Sequence, residues 1–320
     1  MGNRPVATWP VRLLAGVDIG TLTCRLLVAR VHAPHQIDVV RSDRRILRLG
    51  QDVQQNKRLL PEAMDRVIRT LAEWRLVIDP LRPDGETAVA TSAVRDAENR
   101  TEFLARVRRD TGFDVEIITG EEEARRTMLG ICAGLPAGVN DFLGLDIGGG
   151  STEFIVNRVG QPASVRSVDV GVVRLTDMAL RSDPLTVGDV EQARRIVRNH
   201  MATVRSSLGA LTGLALVGTA GSVTSLAAMA QRLTSYDPTR VHRYRLSLDT
   251  VRGFESDFLG RTRAERRGLY GLEPGREDVI VAGTLILREV MEALGYQECV
   301  VSDYGLREGV LIDLAHRMTP

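Results

Sequence analysis

Alternating and β-branched apolar positions predict three strands in quick succession, at 13–18 (LLAGVD), 23–31 (TCRLLVARV) and 37–48 (IDVVRSDRRILR). The period then changes. In PEAMDRVIRTLAEWRLVID, 61–79, apolar residues recur at helical spacing, and Pro61 stands where a helix can begin without losing a hydrogen bond. A strand at 87–92 (TAVATS), a helix around 99–110, a strand at 115–119 (VEIIT) and a helix from Glu121 to about Gly134 follow.

At 142 the pattern restarts. FLGLDIG (142–148), TEFIVNR (152–158) and ASVRSVDV (163–170) read as three more strands. Then come a helix at 187–208, a strand at 214–219 (LALVGT) and a helix from Ser222. Helices near 248–259, 263–270 and 278–294, a strand at 298–303 and a helix at 305–316 complete the series. Each half opens on Asp-Ile-Gly, at Asp18 and Asp146, an offset of 128 residues, so the chain reads as an internal duplication of one α/β unit. The expected domains are residues 1–128 plus 304–320 and residues 129–303, closing on each other about junctions near 125–140 and 300–305. A cleft between two such units is the natural place for a ligand.

Charge and composition narrow the chemistry. A net charge of +1 lacks the basic excess of a protein that coats nucleic acid. Lys57 is the only lysine, and QQNKRLLP is neither a P-loop nor a setting for a Schiff base. Cys24, Cys132 and Cys299 have no pairing or metal-ligand spacing, which suits a reducing cytoplasm. No run of 18 apolar residues predicts a membrane span, the N-terminus has no signal-peptide core, and Val6 removes a myristoylation signal. His32 and His35 lack a third ligand and are read as a loop pair. The Arg-rich runs at 41–48, 194–198 and 261–267 are read as solvated faces, with the alternative that one guides a polyanion.

Three stretches carry candidate chemistry. In Asp18-Ile19-Gly20-Thr21-Leu22-Thr23-Cys24-Arg25 a carboxylate ends a strand, and Gly20, Thr21 and Thr23 can present N–H and O–H groups to an anion. In Asp146-Ile147-Gly148-Gly149-Gly150-Ser151-Thr152-Glu153 the same order recurs with three glycines, a nest open to phosphate oxygens. In LVGTAGSVT, 216–224, a strand passes through Gly218, Thr219, Gly221 and Ser222 into a helix whose N-terminus favours anions. Together these resemble the actin, Hsp70 and sugar-kinase superfamily, which implies two similar ribonuclease-H-like (actin-like ATPase) α/β domains with a phosphate-binding cleft between them. Glu121, Glu122 and Glu123 crowd one helix start. They either serve the helix dipole or, where crowding raises a pKa, provide a general base.

The blocks AVATSAVRDAENRTEFL, ITGEEEARRTMLG, LDIGGGSTEF, SVDVGVVRLTD, VGTAGSVTSLAAM and VSDYGLREGVL resemble, in order, those of the exopolyphosphatase / guanosine pentaphosphate phosphohydrolase (Ppx/GppA) family, from about Gly16 to Leu311. The resemblance implies Mg²⁺-assisted hydrolysis of a terminal phosphoanhydride. By block matching, Glu123 is the base, with Glu122 in reserve. Asp146 holds Mg²⁺ with Asp18 near it, and Gly148, Gly149, Gly150, Ser151 and Thr152 cradle phosphate. Glu153 lines the site, and Arg25 and Arg95 grip phosphates. The family's first turn usually has Asn where this chain has Leu22, and the chain reads as the short two-domain form. The expected activity is exopolyphosphatase, in the cytoplasm and as a homodimer, with no nucleic acid or membrane partner. Its alternative is a guanosine pentaphosphate 5′-phosphohydrolase serving the stringent response. An ATP-dependent small-molecule kinase and a non-catalytic sensor are the more distant readings.

Overall fold

The computed structural model describes residues 10–33, 36–136 and 141–319. The first sheet begins as an antiparallel meander of β1 (Arg12–Ile19), β2 (Thr23–Ala33) and β3 (Gln36–Ile46). Then β4 (Gly85–Ala90) and β5 (Val115–Ile117) join parallel to β1, giving the order β3-β2-β1-β4-β5. Both faces of β1 and β2 are covered, which is why these strands read as near-continuous apolar runs. Ala15, Val17, Ile19, Leu26 and Val28 face a core that contains Trp74 of α2 (Pro61–Ile78) and Phe103 of α4 (Arg100–Thr111). Leu14, Leu27, Ala29 and Val31 face the other way, onto Leu311 and Ala315. Two short helices, α1 (Val53–Asn56) and α3 (Ser92–Asp96), and the longer α5 (Gly120–Gly134) complete this half.

The second sheet repeats the plan. β6 (Phe142–Ile147), β7 (Thr152–Asn157) and β8 (Ser164–Val168) form the meander, and β9 (Ala215–Thr219) and β11 (Glu298–Val301) run parallel to β6. A short antiparallel strand, β10 (Arg245–Ser247), edges the sheet, so the order is β10-β11-β9-β6-β7-β8. Around it lie α6 (Val172–Ala179), α7 (Val187–Ser207), α8 (Ala220–Ala230), α9 (Pro238–Val241), α10 (Leu248–Leu259), α11 (Arg263–Arg266) and α12 (Ile280–Leu294). Helix α12 is buried without a break from Ile280 to Leu287, as expected of a helix that is apolar all round. The duplicated α/β architecture expected from the sequence is therefore present, with the same five-strand order in each half.

Two helices tie the halves together. α5 follows β5 of the first sheet yet packs on β7 and β8 of the second, while α13 (Leu306–Arg317) follows β11 of the second and packs on β1 and β2 of the first. They cross backbone to backbone. A Cβ at Gly130 would lie 1.9 Å from the Gly305 carbonyl oxygen, and one at Gly309 only 1.6 Å from that of Arg126.

Some boundaries differ from the sequence reading. The strand expected at 87–92 ends at Ala90, and Ser92 starts α3. The helix expected at 263–270 closes after one turn at Arg266, and the helix expected from Ser222 already begins at Ala220. α6 was not anticipated, since Val172 and Val173 favour a strand; Gly171 caps its start. No helix among the described residues is long and apolar enough to cross a membrane. Cys24, Cys132 and Cys299 are all free thiols. His35 lies outside the described residues; His32 pairs with Asp38 at 2.7 Å.

Candidate active site

The β1–β2 and β6–β7 turns are built alike. The Gly20 N–H donates to the Thr23 carbonyl at 3.0 Å, and the Gly148 N–H donates to the Ser151 carbonyl at 3.0 Å. A Cβ at Gly20 or Gly148 would press on that same carbonyl, at 2.8 and 3.0 Å. The next two glycines answer to the opposite half of the molecule. A Cβ at Gly149 would lie 2.7 Å from the Thr21 Cβ, and one at Gly150 would lie 2.3 Å from the Ser92 Oγ. The triple glycine thus lets two turns from different sheets abut, and the anion nest is formed at their junction.

One polar cavity runs along this junction. Asp18, Gly20, Thr21, Thr23 and Arg25 line it from the first sheet, and Asp146, Gly148, Gly149, Gly150 and Ser151 from the second. Gly221 and Ser222 close it at the start of α8, and Glu123 reaches it from the first turn of α5. These are thirteen of the positions singled out from sequence, gathered from four separate segments.

Four buried carboxylates surround the cavity: Asp18, Glu123, Asp146 and Glu153. Burial pushes Asp18 up to about 6, with Asp146 adding to the shift and Arg25 opposing it. Burial, then repulsion from Glu153 and Asp146, hold Glu123 well above the usual carboxylate range, with Arg95 opposing. Asp146 is raised chiefly by burial, against Arg25 and a hydrogen bond donated by Thr127 Oγ1 at 3.2 Å. Glu153 rises to about 8 through burial and Asp146. It sits behind the cavity on β7, one oxygen accepting from Ser167 Oγ at 2.7 Å and the other unpartnered.

Helical geometry separates the two glutamates that sequence left competing. Glu122 points away from the cleft into Arg125 and Arg126, at 2.7 to 2.8 Å, and the Arg125 hydrogen bond leads in lowering it to about 2. A group so tightly held and so acidic is a poor base near neutral pH, which leaves Glu123. Arg95 stands beside that carboxylate, with Nη1 3.5 Å from Glu123 Oε2 and donating to the Ile118 carbonyl at 2.9 Å. It orients Glu123 and does not line the cavity. Thr152 Oγ1 donates to the Val170 carbonyl at 2.5 Å, inside the sheet. Gly218 packs against Cys299 in the sheet, and Thr219 Oγ1 donates to the Tyr304 carbonyl at 3.0 Å beside a smaller neighbouring cavity.

Sequence reasoning missed several residues. Arg276 is 2% exposed, lies against Gly221, donates to Glu273 at 2.7 Å and leaves Nη2 unpartnered in the cavity. A Cβ at Gly221 would meet that guanidinium at 2.4 Å, so the glycine leaves room for it. Ala220 holds a positive φ of 69° at the start of α8, a strained conformation at the cavity wall. Arg174 bridges the halves, donating to the Gly150 carbonyl at 2.8 Å, Gln54 at 2.5 Å and Asp96 at 2.5 Å. Only the buried, glycine-flanked settings of these residues reveal them, and no local spacing does.

The carboxylates fit a hard cation. Asp18 Oδ1 is buried without a hydrogen-bond partner, and the carboxylates still repel one another despite Arg25 and Arg95 nearby. Among the described residues no set of three or more His, Cys, Asp or Glu side chains cages a metal alone. That pattern suits Mg²⁺, which takes one or two carboxylates and fills its shell with water and substrate phosphates.

A model of the Ppx/GppA phosphatase family matches residues 27–318. Exopolyphosphatase 2 of Mycobacterium tuberculosis is 34% identical over 314 residues, covering 94% of this chain and 98% of the relative. The crystal structure of the Aquifex aeolicus member of the Ppx/GppA family superposes with a TM-score of 0.80 at 31% identity, covering 97% of this chain and all of the other. An exopolyphosphatase from Cytophaga hutchinsonii superposes at 0.86 with 25% identity, covering 95% and 98%.

Proposed function

The chain belongs to the Ppx/GppA phosphatase family, and from that premise we propose that it is an exopolyphosphatase, releasing orthophosphate from the end of an inorganic polyphosphate chain. The observation that carries this reading is Glu123, a buried carboxylate of raised proton affinity at the junction of two glycine turns. The terminal phosphoryl group would lie in the nest of N–H groups at residues 21–22 and 149–151, where it meets donors fixed in advance and needs no reorganisation. Glu123 accepts a proton from the attacking water as its oxygen bonds to phosphorus, and Arg95 keeps the carboxylate aimed. The anhydride P–O bond opposite breaks, and the shortened chain leaves as an oxyanion beside Arg25 and Arg276. Mg²⁺ held by Asp146, with Asp18 beside it, would neutralise charge on the phosphoryl oxygens when bound. A guanosine pentaphosphate would use the same phosphate site and is the competing substrate.

Orthophosphate release in the presence of Mg²⁺ tests the reading, with tripolyphosphate, long-chain polyphosphate, guanosine pentaphosphate and ATP as substrates. Wild type should turn over the polyphosphates, and Glu123→Gln should lose about 10²- to 10⁴-fold in turnover, as removal of a general base does. Turnover of the guanosine nucleotide alone would replace polyphosphate as the substrate. A larger loss in Glu122→Gln than in Glu123→Gln would sink the assignment of the base.

A further inference from the structure

The active-site cavity has neighbours beyond the reacting phosphate. It shares Arg25 and Ala220 with a second, small chamber, whose walls also include Arg44, Thr224, Asp303 and Arg307. That chamber in turn shares Arg44, Asp303 and Arg307 with a third cavity of about 630 Å³ that opens on the surface between β3 and α9. Arg276 therefore stands at the first cavity, Arg25 between the first and second, and Arg44 and Arg307 between the second and third. Arg25 and Arg44 lie near enough to Arg276 to repel its charge, and Arg25 Nε and Arg276 Nη2 are buried without partners. Unpaired buried guanidinium N–H groups are costly, and these two call for an anion, with Arg44 and Arg307, both ion-paired, lying beyond them.

The acids along this row are already engaged. Glu308 accepts from Arg307 Nε at 2.7 Å and from the Gly305 N–H at 2.9 Å. Asp43 accepts from Trp74 Nε1 at 2.7 Å and from the Arg44 N–H at 2.8 Å. Glu273 takes Arg44 at 2.8 Å together with Arg276. Asp303 is held by the Tyr236 hydroxyl, and Arg44 lies over the Tyr236 ring, 5.2 Å from its centroid. The phenol of Tyr236 lines the outer cavity while Asp303 borders both chambers, so this pair stands where the two meet.

We propose that the three chambers form one track for the distal phosphates of the substrate, with Arg25, Arg44 and Arg307 as successive grips and the Tyr236–Asp303 pair as a door across it. The proposal rests on the oligophosphate reading of the active site and adds to it the residues that set chain-length preference. A short oligophosphate ends before Arg44, whereas a long chain must displace the door and then gains the outer arginines. Arg44 is a specificity residue here, since it meets phosphates that do not react.

Binding in the Glu123→Gln background tests this, because the ligand then stays intact. Tripolyphosphate and long-chain polyphosphate are titrated into that protein, and into the same protein carrying Arg44→Gln or Tyr236→Phe. Loss of one charge-assisted phosphate contact should raise the ratio of long-chain to tripolyphosphate Kd about tenfold in Arg44→Gln. Tyr236→Phe keeps the ring but frees Asp303, and should lower the same ratio severalfold. If both ligands weaken equally in Arg44→Gln, its role is structural and the track is wrong. If Tyr236→Phe moves the ratio upward or leaves it fixed, the door is wrong. Tight tripolyphosphate binding with no shift in either ratio overturns the track and leaves the exopolyphosphatase reading standing. Binding of neither ligand overturns that reading, and the track with it.

Discussion

Replacing Asp18 by Asn should stabilise the protein while it disables the site. Asn keeps the shape of the side chain and removes a charge that burial disfavours, since Asp18 is 7% exposed with one oxygen unpartnered. The magnitude follows from the shift of the carboxyl from 3.8 to about 6. For an acid whose folded pKa is raised, the folded state holds the proton more tightly. Stability is therefore unimpaired below pH 3.8, declines as pH rises, and levels off above pH 6. Two linked titrations of this size make wild type less stable than Asp18→Asn by about 3 kcal/mol at pH 8 and by about 1.5 kcal/mol at pH 5. Thermal melts of both proteins from pH 4 to pH 8 without divalent cation would show the gap opening by several degrees. Added Mg²⁺ should then lift wild type more than the variant, because only wild type presents the full carboxylate pair. A variant that melts below wild type at pH 8, or a gap that ignores pH, would refute the reasoning.

Three further expectations follow from packing and from contacts across the cleft. Gly130→Ala puts a methyl 1.9 Å from a backbone carbonyl at the α5–α13 crossing, and should cost about 3 kcal/mol or more in chemical denaturation; a change under 1 kcal/mol would mean the helices slide freely. Leu22→Asn restores the residue usual in the resembling family, yet Leu22 is 4% exposed and packs in the core of the second half. A loss of about 2–4 kcal/mol is expected by the same measurement, and equal stability would show that the site tolerates an amide. Arg174→Ala removes the bonds to Asp96 and Gln54 that bridge the halves, together with its bond to Gly150. It should widen the ligand-free particle in small-angle scattering and raise KM, and superimposable curves would count against Arg174 as a clamp.

The duplicated sheets were legible because both faces of each central strand are buried, so apolar runs and Asp-Ile-Gly turns stand out. The elements that escaped are short or locally ambiguous. β10 has three residues, and α6 begins on two valines whose helical state is set by packing in the second core. The carboxylates and glycines of the site were readable because turn chemistry is local. The choice between Glu122 and Glu123 needed the rotation of one residue along a helix. Arg276, Arg174, Arg44 and Arg307 come from distant segments, and among 41 arginines none differs in type. The purpose of the glycines was only half legible. A phosphate nest was read, whereas the geometry shows that Gly149 and Gly150 first make room for Thr21 and Ser92.

Thr21 and Gly149 are separated by the same 128 residues as Asp18 and Asp146, so each is the counterpart of the other in the repeat. They also lie face to face, since a Cβ at Gly149 would stand 2.7 Å from the Thr21 Cβ. At such a contact each position faces its counterpart, and here there is room for only one side chain. A chain with threonine in both turns could not close the cleft. The contact therefore works as peg and socket, with threonine on one turn and glycine on the other. Exchanging the two, Thr21→Gly with Gly149→Thr, moves the peg to the other side and should fit better than Gly149→Thr alone.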